Sequence, residues 1–258
     1  MLTRFIKYIF KLIGFEIRRV KTQQVLSFAK SDSDIKNFEK WYEICSQESL
    51  NVSRERFLAL YQSILYISKN NIHGDFVECG VFRGGSSMMM SYCLNYDQKL
   101  HKKRLWMYDT FEGMTKPSKY DVNILSQKAN SFLDYKKKIK NKKDIWAYSP
   151  LDTVKKNIEK TKLKKSQYCF VKGAVEQTLK INKPDKISLL RLDTDFYSST
   201  KSELEHLYER VSSNGIILID DYGHWKGCKK AVDNFFKYKK NIYFHHIDYS
   251  AILIIKIK

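Results

Sequence analysis

Two apolar runs that end on aspartates constrain this chain more than any other feature in it. ISLLRL (187–192) continues directly into Asp193-Thr194-Asp195, and GIILI (215–219) continues into Asp220-Asp221, with a helix-length stretch between them. In an open parallel sheet, residues just past the carboxyl ends of neighbouring strands line the ligand crevice. Four acids converging on one crevice repel one another unless a cation lies among them. The pattern predicts a hard-metal site at the end of a parallel sheet.

The remaining segments supply the rest of that sheet. Further strands are expected at 74–80, 105–108 and 168–171. Helical patterns fall at 54–69, from Gly85 through Leu94, from Ser149-Pro150 to about Thr161, and at 226–237. Alternation at this spacing indicates an α/β fold with a doubly wound parallel sheet. Runs at 242–246 and 251–257, joined by Asp248-Tyr249-Ser250, are expected to close it as an antiparallel hairpin. The chain divides into a helical, basic extension (1–50) and one main domain (51–258), since 258 residues suffice for one sizeable core. A long basic and aromatic segment, 115–148, follows the second strand. It reads either as a lid or acceptor-recognition insertion, or as a solvated excursion.

A net charge of +19 invites a nucleic-acid reading. Much of the excess, however, sits in lysine runs such as 136–143 and 162–165, and no RNP-like, zinc-finger or helix-turn-helix pattern frames them. A solvated surface, or attraction to an anionic substrate or membrane, is the preferred account. Five scattered cysteines without a CxxC pair fit a reduced, cytoplasmic protein. Residues 1–20 place Leu2, Phe5, Ile6, Ile9 and Ile13 at helical spacing, with Arg4, Lys7 and Lys11 on other faces. The lysines break any membrane-spanning run. A peripheral helix at the inner face of an anionic membrane, or one docked on its own domain or a homodimer partner, are the two readings.

The first strand ends in Glu78-Cys79-Gly80-Val81-Phe82-Arg83-Gly84-Gly85-Ser86. Glycines there let the backbone approach a ligand, and the following helix offers its amide end. Asp109, closing the second strand, is placed to accept hydrogen bonds from ribose hydroxyls, with Phe111 and Gly113 forming the adjacent wall. Gly173, after the third strand, is expected near the base. Together Glu78, Gly80, Gly84, Ser86, Asp109, Phe111, Gly113 and Gly173 make a candidate nucleoside-binding half. In the other half, Asp193, Asp220 and Asp221 are the candidate metal ligands, and oxygen donors without Cys or His favour Mg²⁺. Asp193 is also a candidate catalytic base, with His224 as the alternative. Asp195 reads equally as a ligand or as a helix cap.

Taken in order, GDFVECGVFRGGSS, YDTFEGM, LLRLDTDFYSST and GIILIDDYGHWKGCKKAVDNF resemble the macrocin O-methyltransferase (TylF-like) family over about residues 72–236. The resemblance implies a Rossmann-like class I methyltransferase fold with a seven-stranded, mostly parallel sheet. It also implies S-adenosylmethionine and Mg²⁺ as cofactors, and a small-molecule or glycan sugar hydroxyl as acceptor, as in natural-product biosynthesis. A place in surface-glycan or polysaccharide biosynthesis is suggested by the basic amphipathic start and the net charge. By the same resemblance Asp193, Asp220 and Asp221 match metal ligands, while Glu78, Gly80 and Asp109 match cofactor contacts. Two other functions compete with it. One is an RNA or other nucleic-acid methyltransferase, suggested by charge. The other is a non-catalytic, membrane-associated scaffold of the same fold.

Overall fold

A computed structural model describes residues 32–134 and 146–257. The amphipathic stretch 1–20 and the lysine run 136–143 lie outside the described residues. The chain divides into two units, 1–37 and 38–258. Of the first, only the opening of a helix is described, and all that follows concerns the second.

Seven strands form one sheet: β1 (Asp75–Cys79), β2 (Leu105–Asp109), β3 (Tyr168–Lys172), β4 (Ile187–Leu192), β5 (Val211–Ile219), β6 (Ile242–His246) and β7 (Ile252–Lys256). Their order is β3-β2-β1-β4-β5-β7-β6. The first five are parallel, and β7 pairs antiparallel with both β5 and β6. The expected hairpin on a parallel sheet is therefore present. β5 begins four residues before the expected 215, because Val211 pairs with Ile187 before a register shift brings Ile216 opposite Leu189.

Helices α1 (Asp32–Ser46), α2 (Arg54–Lys69), α3 (Gly85–Tyr96), α4 (Ala129–Asp134), α5 (Leu151–Lys160), α6 (Val175–Ile181), α7 (Tyr197–Leu207) and α8 (Lys226–Phe236) complete the described chain. α2 begins where Ser53 accepts from the Arg56 amide, a side-chain cap on an otherwise unpaired N–H. Met88, Met89 and Met90 of α3 are fully buried, as flexible thioethers suited to irregular gaps. From Phe38 onward α1 packs on the domain, with Trp41 stacked on Tyr92 of α3 and edge-on to Tyr61 of α2.

The main core joins the sheet to α6, α7 and α8 through Val77, Leu190, Leu192, Ile217, Leu179, Leu204 and Val232. Side chains alternate across a strand, so Glu78 of β1 and Arg191 of β4, in register, share the opposite face. That polar pair inside an apolar sheet leads to the site.

Candidate active site

All five parallel strands deliver their carboxyl ends to one cleft of about 430 Å³. On its nucleoside side, Gly80 has a φ of +83°, and a Cβ there would collide with the Asp193 carbonyl oxygen. Only glycine lets the β1 turn lie this close to the end of β4. The Gly80 amide donates to the Tyr108 carbonyl (2.9 Å) and the Asp193 amide to the Cys79 carbonyl (2.8 Å), fastening three strand ends together.

Asp109 organises the same turn. Its Oδ2 accepts from the Val81 and Phe82 amides (2.7 and 3.0 Å), and its Oδ1 accepts from the Phe111 amide (2.7 Å). Burial raises its pKa against the pull of those amides. Among the expected cofactor residues, Glu78, Gly80, Ser86, Asp109, Gly113 and Gly173 line the cleft. Gly84 and Phe111 do not: Gly84 faces Val154 of α5, and Phe111 is buried edge-on to Phe170.

Across the cleft, Asp193, Asp220 and Asp221 each offer a carboxylate oxygen within 4.8 Å of the others. The convergence expected from the two strand ends is there. What compensates it within the chain is arginine. Arg191 is 4% exposed and donates from Nη1 to Glu78 (2.8 Å) and Asp193 (2.7 Å), and from Nη2 to Asp220 (2.7 Å). Arg56 of α2 reaches Asp220 from the other side and donates through Nε to Asp248 in the β6–β7 turn (2.7 Å). Among the described residues Asp221 has no arginine partner; it accepts the Asp195 amide (3.2 Å). Burial, then the charges of Asp195, Asp193 and Asp220, push its pKa well up. Burial also lifts Asp193 to about 6 despite Arg191, and Glu78 to about 7 despite Arg191 and Ser87. A divalent cation fits this donor set: three oxygens from three carboxylates, one of them without a positive partner.

Asp195 touches the trio through Asp221 but is not one of the three converging carboxylates. With φ at +64° its Oδ1 accepts from the Trp225 indole (2.8 Å). Nor does it cap α7, because Asp121 of the 115–148 segment takes the Tyr197 amide (2.7 Å). That segment is anchored at its far end too, where Trp146 packs with Phe196 and Trp225 and lines the cleft. His224 also lines it, with its Nδ1 buried and unpartnered among the described residues. Burial and the nearby Arg56 lower the His224 pKa, which favours the neutral ring.

Sequence reasoning did not single out Arg191, Arg56, Asp248 or Asp121. For Arg191 a signal existed: a lone cation within an apolar strand must be paired when buried. For Arg56 none did, because 164 residues separate it from Asp220.

The family model for macrocin O-methyltransferase (TylF) matches residues 11–256. Among curated relatives, the chain is 32% identical over 184 residues to an 8-demethyl-8-(2,3-dimethoxy-alpha-L-rhamnosyl)-tetracenomycin-C 4'-O-methyltransferase of Streptomyces olivaceus, covering 71% of this chain and 66% of the relative. It is 30% identical over 181 residues to the demethyldecarbamoylnovobiocin O-methyltransferase of Streptomyces niveus, covering 70% and 65%. The chain thus spans just under two thirds of the length of these relatives. Its fold superposes on the O-methyltransferase NovP with a TM-score of 0.66 at 27% identity, covering 80% of this chain and 81% of that one. The calicheamicin methyltransferase CalS11, at 13% identity and a TM-score of 0.56, shares the fold.

Proposed function

The chain belongs to the macrocin O-methyltransferase family, and on that premise we propose that it transfers a methyl group from S-adenosylmethionine to a sugar hydroxyl with the help of Mg²⁺. The observation that carries this reading is the placement of the three clustered aspartates opposite the glycine turn, in one cleft. The turn at 80–86 and the amide end of α3 suit the charged end of the cofactor. Asp109 shapes that turn and lines the cleft where a ribose would lie. Asp193, Asp220 and Asp221 would hold the metal. When bound, the metal supplies Lewis acidity toward an acceptor hydroxyl.

The residues of the chain do the rest. Arg191 and Arg56 fix the rotamers of Asp193 and Asp220, so the donors are set before any ligand arrives. Asp193 or neutral His224 takes the hydroxyl proton as the oxygen attacks the sulfonium methyl group, and the methyl–sulfur bond breaks with its electron pair left on sulfur, releasing S-adenosylhomocysteine. Trp146 and Trp225 wall the acceptor side and exclude water.

A nucleic-acid acceptor is the second reading considered, and the charge of the cleft argues against it. Eight carboxylates line the cleft against two guanidinium groups, which disfavours a polyphosphate chain despite the basic exterior.

Methyl-labelled S-adenosylmethionine offered with a panel of glycosides and nucleotide sugars tests the proposal by mass spectrometry. Transfer to a sugar, abolished by EDTA and restored by Mg²⁺, is expected. Transfer indifferent to EDTA would remove the metal from the mechanism. Failure of S-adenosylhomocysteine to bind in calorimetry would remove the cofactor.

A further inference from the structure

The connections that feed the amino ends of the strands lie together at the end of the sheet remote from the cleft. They are 70–74, 97–104, 161–167, 182–186, 208–210 and 237–241, joined there by residues 256–257 because β7 runs antiparallel to β5. Their lysines and arginines number four in 97–104, three in 161–167, two in 182–186, one in 208–210, three in 237–241 and one at 256, fourteen in all. Only three acids, Asp97, Asp185 and Glu209, occur among them. Lys103 is turned inward onto the Ile72 and Gly74 carbonyls (2.6 and 2.7 Å) and holds the loops together. Lys102, Lys164, Lys165, Lys186 and Lys240 are exposed.

We propose that this amino-end face docks on an anionic lipid bilayer. Three features select a bilayer over nucleic acid. The charge is spread over the ends of six of the seven strands, along an edge about 30 Å across at ordinary strand spacing, rather than along one helix or groove. Twelve of the fourteen cations are lysines, point charges suited to a diffuse headgroup layer rather than forked readers of phosphates and bases. Among them stand apolar tips that nucleic acid does not require: Ile181 is 89% exposed and Tyr238 83%. A concavity of about 610 Å³ between the 97–104 and 182–186 connections, lined by Lys99, Lys102, Lys183 and Lys186, is open to a headgroup. Docked this way, the cleft faces away from the lipid, and an acceptor reaches it from the aqueous side. This inference rests on the surface at the amino ends of the strands and stands whether or not the methyltransferase reading does.

The test is co-sedimentation of the full chain with phosphatidylglycerol-containing vesicles and with pure phosphatidylcholine vesicles. Wild type is expected to bind the first and leave the second. The triple variant Lys102→Glu, Lys165→Glu, Lys186→Glu should lose about tenfold or more in binding. A control of equal charge change, Lys116→Glu, Lys128→Glu, Lys155→Glu, should lose much less, and its melting temperature together with that of the triple variant shows that both are folded. Lys→Gln at the same positions, a gentler change, should keep the same ranking. Equal loss in both variants would overturn the proposal, because net charge and not this face would then drive binding. So would capture of RNA with vesicles left unbound.

Discussion

At the carboxyl ends of the strands, buried carboxylates crowd so closely that two arginines hold them, whereas at the amino ends fourteen cations stand with three acids among them. The difference is solvation. Exposed lysines are screened by water and salt, so their mutual repulsion costs little. The acids of the cleft are mostly out of water, and each needs a proton, a cation or a hydrogen-bond donor. Substitutions should therefore have large effects at one end and small ones at the other.

The largest effect is expected for Arg191→Met, which leaves Glu78, Asp193 and Asp220 facing one another without their shared cation. Removing one partner of a buried ion pair costs about 3–5 kcal/mol, to be read from urea unfolding followed by circular dichroism. Mg²⁺ should raise the melting temperature of this variant more than that of wild type, since it offers the charge the arginine supplied. A loss below about 1 kcal/mol, in the range of exposed pairs, would mean that the acids are held by something else and would break the contrast.

Next comes Asp193→Asn, which keeps the shape of the side chain and removes its charge. Loss of a base alone costs about 10²–10⁴-fold in rate, so methyl transfer should fall at least that far. S-adenosylhomocysteine affinity, measured by calorimetry, should stay within a few-fold, because the glycine turn is left intact. Equal losses in both would show that the two sides of the cleft do not divide the work.

A third effect concerns pH. Glu203 of α7 is fully buried, accepts from the Thr194 hydroxyl (2.9 Å) and is pushed by burial up to about 8. The folded state thus holds a proton there that the unfolded chain gives up near its ordinary value. Stability from this group is present at low pH and declines as pH rises through that window toward 8. Glu203→Gln should flatten the decline, giving a melting temperature above wild type at pH 8 and a smaller difference at pH 5. Parallel profiles for the two proteins would show that Glu203 is ionised throughout.

Much of this was legible in the sequence. β4, α2 and β6 match the expected ranges, since each has a clear apolar period or run between polar breaks. The aspartate trio was legible because residues at adjacent strand ends must meet whatever the loops do. What escaped depended on contacts between distant segments. Within the helical extension expected over 1–50, α1 buries Phe38 and Trp41 against other helices, an apolar face too sparse to show as a period. The short helix α6 has only Val175 and Leu179 buried, too few to declare itself. Asp109 reads as a ribose acceptor from its place after β2, but the positive φ of Phe82 and Phe111 folds backbone amides onto it. Asp195 could not be assigned without knowing that Trp225 would come within reach.

The smallest effect is the sharpest test of the comparison. Reversing three charges at once, as in Lys102→Glu, Lys165→Glu, Lys186→Glu, changes net charge by far more than Arg191→Met does. None of the three side chains is buried, and each lies among other cations, so reversal relieves repulsion as much as it breaks contacts. Surface substitutions of this kind stay within about 0.5 kcal/mol each. The unfolding free energy of the triple variant should therefore match wild type or rise slightly, and the gain should shrink as salt is added, because salt screens the repulsion being relieved. A loss approaching that of Arg191→Met would mean that the amino-end lysines are structural, and that both ends of the sheet obey one rule. An unchanged fold with lost vesicle binding would mean that the cations at this end are held for a partner outside the chain, as the buried arginines are held for the acids within it.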